Sequence, residues 1–389
     1  MAISDKLLLL NNTKQQIRQA IESLGYSVGD IPFSQYPDVI DSMVVTEGGD
    51  LFQHGQALNY NFTSQRYGTR LPDGTINYTT DVNDLGILTR ASTATYWGPE
   101  GSLLEAAVDE ARIQHDPVTG EALGLLVESE ATNINPYSDY SDTLAWAGSE
   151  GVVEADVILG AQATKYSGEN IRRRAFVGRA SDAGFRSTIS FMVRSVSHNR
   201  TLLVYLAASS GSNAGADVLR IDFDTKNVLH TPRDPGSDFA IVGLSQTWLT
   251  NDTVKIEATV ENGSNRTFGA LWVGSSDFSG DFSLGAVDHK AGETASSFIP
   301  TTGSPVTRAA DNAVIDLSDV LNPDEGTLRI TAQVPEGEVV ASLGDIQVVS
   351  DSVEEKTYRI TYSGYTGVPS VTLGNGIHSR FEYLPEAQS

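Results

Sequence analysis

The pattern of apolar and polar positions splits the chain into a short helical start and a long β-rich remainder. Ile17, Ala20, Ile21 and Leu24 recur at the spacing of one helix face. Ahead of them, Asn12 and Gln15 have capping-box spacing, in which the Asn side chain accepts from a free backbone N–H, and Gly25 offers a left-handed stop. The spacing predicts a helix over 12–24, and a second short helix over 37–43 follows the turn-rich stretch 29–36. One helix of this length is marginal alone in water, so the stripe Ile17, Ile21 and Leu24 needs a cover. Other copies, another protein, or the next β-domain could provide it. The hinge-like Thr46-Glu-Gly-Gly-Asp50 favours a separable docking anchor over residues 1–45.

From 46 to 134 short apolar runs alternate with turn signals such as Pro72-Asp-Gly74 and Gly98-Pro99. Leu103, Leu104, Ala107 and Val108 predict one or two helical turns within 102–110. A segment this long without regular structure is unusual inside a compact domain. It reads as an extended interchain shaft whose aromatic residues find their core on neighbouring copies. Over 135–310 the pattern turns to β: Phe185–Arg194, Arg200–Ala207, Asp217–Phe223, Thr253–Val260 and Phe268–Val273 are strand-like, mostly alternating, and punctuated by Gly, Asn, Asp or Ser. This predicts an antiparallel sandwich. Residues 311–389 add Gly326–Val334, Val339–Leu343, Lys356–Tyr362 and Arg380–Leu384, a sandwich too short to be complete. The expected fold class is therefore mainly β.

Composition narrows the partners. A net charge of −24 excludes nucleic acid, because phosphate binding needs clustered Lys and Arg. No apolar run approaches the roughly 20 residues of a membrane span, so membrane insertion is not expected. With Cys 0, disulfides, thiolate zinc sites and cysteine nucleophiles all drop out.

Five stretches carry a resemblance. Leu88–Pro99, with its Tyr96-Trp97-Gly98-Pro99, and Ala111–Asn133 resemble the linker block of bacteriophage head-spike and tail-fibre proteins, which precedes a lectin-like sandwich. Ala295–Asp311 resembles the segment that closes that sandwich, while Asn322–Leu328 and Gly376–Pro385 resemble the ends of a concanavalin-like one. The resemblance implies a jelly-roll lectin-like domain over 135–310 and a shortened C-terminal β-sandwich over 311–389. It further implies a homotrimer on the virion surface, made in the host cytoplasm and docked on other virion proteins through its N-terminus. The implied role is adhesion to host-surface glycans. A head-fibre, collar or baseplate decoration protein without a receptor is one alternative, and a polysaccharide depolymerase another.

Chemistry-bearing motifs are sparse. His54, His115, His198, His230, His289 and His378 lie scattered without metal-ligand spacing, and no nucleophile motif or phosphate loop occurs. Neither catalysis, a metal nor a cofactor is expected. Asn135, Asp139 and Asp142, like Asp277 and Asp281, read as solvated turns rather than calcium ligands. A sugar site needs an aromatic face beside amide or carboxylate groups. The candidates are Trp248, Tyr205 and Tyr365, with Trp97, Trp146 and Trp272 read as packing or unplaced.

Overall fold

A computed structural model of the chain describes residues 52, 55–141, 144–145, 151–169, 172–180, 186–196, 200–208, 216–232, 239–262, 268–274, 279–293 and 295–386. The expected helices, with Ile17, Ile21 and Leu24, lie outside these residues. Among the described residues the structure is nearly all β, and the helical element is a single 3-10 turn, Val82–Leu85.

Two sandwiches account for almost all the strands, and one is inserted into the other. The outer sandwich has a sheet of Lys356–Ser363, Glu325–Gln333, Gly376–Leu384, Leu58–Asn61, Arg66–Arg70 and Ile76–Thr79, in that order. Ala122–Val127 joins it against Gly376–Leu384 and carries Ile113–His115. The opposing sheet runs Ile346–Val349, Val339–Leu343, Ser370–Leu373, Asn312–Asp316, Leu88–Thr89. One apolar core fills the space between them, with Leu58, Phe62, Tyr67 and Leu125 from the first third packed beside Ile315, Leu328, Ile360, Val371 and Phe381. Burying each such side chain contributes about 1.5–3 kcal/mol.

This arrangement departs from the expected shaft. Leu58–Asn61 pairs residue for residue with Arg380–Tyr383, so the first third of the chain supplies the strands that the C-terminal segment lacks. Phe52, Tyr60, Phe62, Tyr67 and Trp97 are buried within one chain and need no neighbouring copy. The helical turns expected over 102–110 are instead a strand, Leu103–Ala106, paired with Ala94–Trp97. Hairpin pairing overrides a weak helical period here. At Gly124, φ is +141° and an added Cβ would lie 2.3 Å from the carbonyl oxygen of His378, so the close approach of these two strands requires glycine.

The inserted sandwich spans roughly 135–305. One sheet runs Leu144–Ala145, Arg172–Ala180, Phe268–Gly274, Thr201–Ala208, Ala216–Asp222, Asn227–Thr231. The other runs Val152–Ile158, Ala161–Glu169, Ser279–Ala291, Arg186–Ser195, Thr253–Asn262, Phe239–Trp248. Alternation sets the faces: Ile189, Phe191 and Val193 enter the core with Val254, Ile256 and Ala258, while Ser190, Met192, Lys255 and Glu257 point the other way. Tyr166 stacks on Phe282 at 5.3 Å and donates its hydroxyl to the Tyr140 carbonyl at 2.6 Å, pinning the entry segment to the core.

Candidate ligand site at the junction of the two sandwiches

The two sequence blocks 111–133 and 295–311 meet where the chain leaves and re-enters the outer sandwich. Ala131–Asn133 and Val306–Arg308 pair as a two-stranded ribbon. Beside it lie Arg90, Arg112 and Arg308, the three largest fully buried side chains among the described residues. Asp311 binds two of them, Arg90 at 3.0 Å and Arg112 at 2.5 Å, from a fully buried carboxylate. Glu128 takes the second fork of Arg112 at 2.8 Å, lies 3.7 Å from Arg308, and accepts from the Ser297 backbone N–H at 2.7 Å. Burial pushes the Glu128 carboxyl up, but Arg112, Arg308 and Ser297 outweigh it and hold the group below the usual carboxylate range. Lys290 and Asp288 form a second buried pair at 2.6 Å, in which burial lowers the lysine and raises the aspartate. Removing one partner of such a network strands a buried charge, so the network fixes the two sandwiches against each other.

A cavity of about 190 Å³ opens beside this network. The hairpin Ala94–Trp97 and Leu103–Ala106 lays Trp97 and Leu103 on the outward face of the inserted sandwich, against Ile158, Ala163, Met192 and Ala286. Tyr96, Trp97 and Phe298 give the cavity aromatic walls. Ser190, Lys255, Glu257, Glu128 and Gln114 contribute polar groups to its lining. Lys255 donates to Glu257 at 2.6 Å, and Glu257 also accepts from Ser245 at 3.1 Å. Burial tends to raise the Glu257 carboxyl, but Lys255 and Ser245 hold it low, so it stays ionised beside the cavity. Ser296 also lines the cavity, and its buried hydroxyl has no partner. Aromatic faces beside charged groups of both signs suit a small polar ring with hydroxyls to donate and accept.

The residues singled out by sequence do not converge here. Trp248 is half-buried on the core of the inserted sandwich, edge-on to Phe223 at 5.6 Å, with its indole N–H buried and unpartnered. It packs rather than presenting an open face. Tyr205 lies on the opposite sheet; its neighbours Val204 and Leu206 enter the core, and Tyr205 is half-buried on the outer side. Tyr365 belongs to the other sandwich, packed on Tyr362 at 5.6 Å and donating to the Val368 carbonyl at 2.9 Å. Trp97 packs between modules of the same chain rather than between chains. Asn135 is buried rather than solvated, its amide donating to the Val287 and Tyr137 carbonyls. Trp146, Asp142 and Asp277 lie outside the described residues, and among the described residues no group of three or more His, Cys, Asp or Glu is placed to hold a metal ion. Tyr96, Phe298, Lys255 and Glu257 escaped the sequence reading. The alternation of Lys255 and Glu257 on one strand face was the available signal.

No protein-family profile and no curated protein matches the chain. Among solved structures, 40% of the chain is similar to 96% of a family 11 carbohydrate-binding module from Clostridium thermocellum, solved with a β-1,3-1,4-mixed-linked tetrasaccharide, at 14% identity and a TM-score of 0.17. A likeness at that level carries no argument about this chain.

Proposed function

We propose that the chain is a fibre or spike protein of a bacteriophage virion that adheres to host-surface glycans, and that it binds without cleaving. The observation that carries the binding part is the junction cavity, where Tyr96, Trp97 and Phe298 stand beside Lys255 and Glu257. That combination meets the physical requirement for holding a sugar ring: apolar faces for its C–H side and charged hydrogen-bonding groups for its hydroxyls. The virion part rests on the resemblance of 88–99, 111–133 and 295–311 to phage spike and fibre proteins. So does the expected jelly-roll character of the inserted sandwich, with which the passage of successive strands between its two sheets agrees. The same resemblance motivates homotrimerisation, virion-surface location and docking of residues 1–45 on other virion proteins.

Binding of the purified protein to an array of bacterial surface glycans tests the reading. Selective binding that Tyr96→Ala weakens at least tenfold, with melting temperature unchanged, is the expected result. Absence of binding to any glycan would leave the decoration-protein alternative in place. Release of reducing sugar from a bound polysaccharide would replace adhesion with depolymerisation.

A further inference from the structure

The aromatic walls of the junction cavity stand on two arms that belong to neither sandwich's sheets. Tyr96 and Trp97 sit on the hairpin of Ala94–Trp97 and Leu103–Ala106, which among the described residues pairs with no third strand. Phe298 sits on residues 295–299, which form neither helix nor strand. A lone two-stranded hairpin is marginal in water, so the placement of one arm against the other depends on side-chain bonds. We propose that Thr95 is the positioning residue of this cavity: its hydroxyl latches the hairpin to the Phe298 arm and sets the spacing of the walls that face the ligand. The inference rests on the glycan-binding reading above.

Thr95 is buried, and its Oγ1 donates to the Phe298 carbonyl at 2.5 Å. Among the described residues no other hydrogen bond joins the two arms directly. Each arm is anchored separately on its own side of that bond. On the hairpin, Arg112 donates to the Thr95 carbonyl at 2.9 Å, and the Trp97 backbone N–H donates to Gln114 Oε1 at 3.2 Å. On the other arm, Ser297 donates its N–H and its hydroxyl to Glu128 at 2.7 Å and 2.6 Å, and its carbonyl accepts from Lys290 at 2.5 Å. The Ile299 N–H donates to Asp288 at 3.2 Å. Phe298 lies between these two fixed neighbours, with its carbonyl on Thr95. The latch thus gathers the three sequence blocks: Thr95 from 88–99, Arg112 and Glu128 from 111–133, Ser297 and Phe298 from 295–311. Arg112 and Glu128 are buried charges whose loss would disturb the fold. Thr95 is neutral, and valine matches its shape while removing the hydroxyl, so its part can be tested by itself.

The full chain, Thr95→Val and Thr95→Ser are compared on an array of bacterial surface glycans read at graded protein concentrations. A second readout is the fluorine NMR signal of para-fluorophenylalanine placed at position 298. Thr95→Val is expected to bind about tenfold more weakly, as one lost hydrogen bond that holds a wall in place would produce. Its fluorine resonance should move or split. Thr95→Ser keeps the hydroxyl and should restore both the affinity and the single native resonance. Both variants should melt within about 5 °C of the native chain, since one neutral hydrogen bond is small against a fold of this size. Native affinity in Thr95→Val, weakened binding with the resonance unmoved, or failure of serine to rescue would overturn the latch alone. So would a larger fall in melting temperature, which would make Thr95 a residue of the fold. No binding of any glycan by the native chain would overturn it together with the glycan reading.

Discussion

His378 shows how a single buried group writes a pH dependence into this fold. It is fully buried in the strand Gly376–Leu384, with Nε2 placed 2.8 Å from the Gly374 carbonyl and Nδ1 without a partner. Neutral histidine satisfies this arrangement by donating from Nε2. Protonation would add an N–H with nowhere to donate, and burial pushes the pKa down from 6.5 to about 4, against the modest upward pull of the Gly374 bond. The folded-state value lies below the unfolded one. The stabilisation is therefore complete above about pH 6.5 and is lost as the pH falls through about 4. We expect His378→Gln to flatten stability between those limits in urea titrations, a window worth on the order of 3 kcal/mol. An unchanged slope would exclude His378 as its source. Trp248 belongs to the same scale. Its ring packs on Phe223 but its N–H is buried unpaired, so Trp248→Ala should cost about 2 kcal/mol. Trp248→Phe should be close to neutral, and neither should alter glycan affinity. Selective loss of binding in a stable Trp248→Phe protein would restore the indole as a ligand platform.

Among the elements, the junction ribbon and hairpin explain why the two sequence blocks look as they do. Residues 111–133 and 295–311 carry Arg112, Glu128, Arg308 and Asp311, which are distant in sequence and meet only in the folded chain. Asp311 holds two arginines from a position with no solvent access. Asp311→Ala should cost about 3–5 kcal/mol, as expected when a buried pair loses one partner. Thermal unfolding followed by domain-specific probes would show whether the inserted sandwich keeps its own transition. Loss below 1 kcal/mol would mean that water replaces the carboxylate and the network is not buried in solution. What was legible in sequence at this scale were strands with long alternating runs: Thr253–Asn262 and Lys356–Ser363 fall where alternation predicts them. Leu58–Asn61 was not legible. It has four residues, three of them buried, and although Arg66–Arg70 pairs with it locally, the partner that seats it in the sheet, Arg380–Tyr383, lies more than 300 residues away. Nothing local distinguishes such a strand from an irregular segment. The cavity was hidden for the same reason, since Tyr96, Lys255 and Phe298 reach it from three separate elements.

For the whole molecule, closing the outer sandwich within one chain removes the need for neighbouring copies over 55–134 and moves the question of assembly elsewhere. Val152–Ile158 pairs with Ala161–Glu169 on one side, and among the described residues no strand covers its other edge. Val152, Val153 and Val157 are 58%, 45% and 47% exposed along it. An open edge carrying apolar side chains is a liability that proteins ordinarily cover or charge. If the chain assembles as the expected trimer, this edge is where a neighbouring copy should meet it. Light scattering of the purified protein should then give a trimer, and the double variant Val153→Lys, Val157→Lys should give a folded monomer. Adhesion would separate assembly from binding: linking several weak sites multiplies avidity on the order of a hundredfold or more. The monomeric variant should therefore lose that factor on a glycan-coated surface while keeping its affinity for a free glycoside. A native protein that remains monomeric at every concentration would end the trimer proposal. Retained trimerisation in the lysine variant would place the interface on another face.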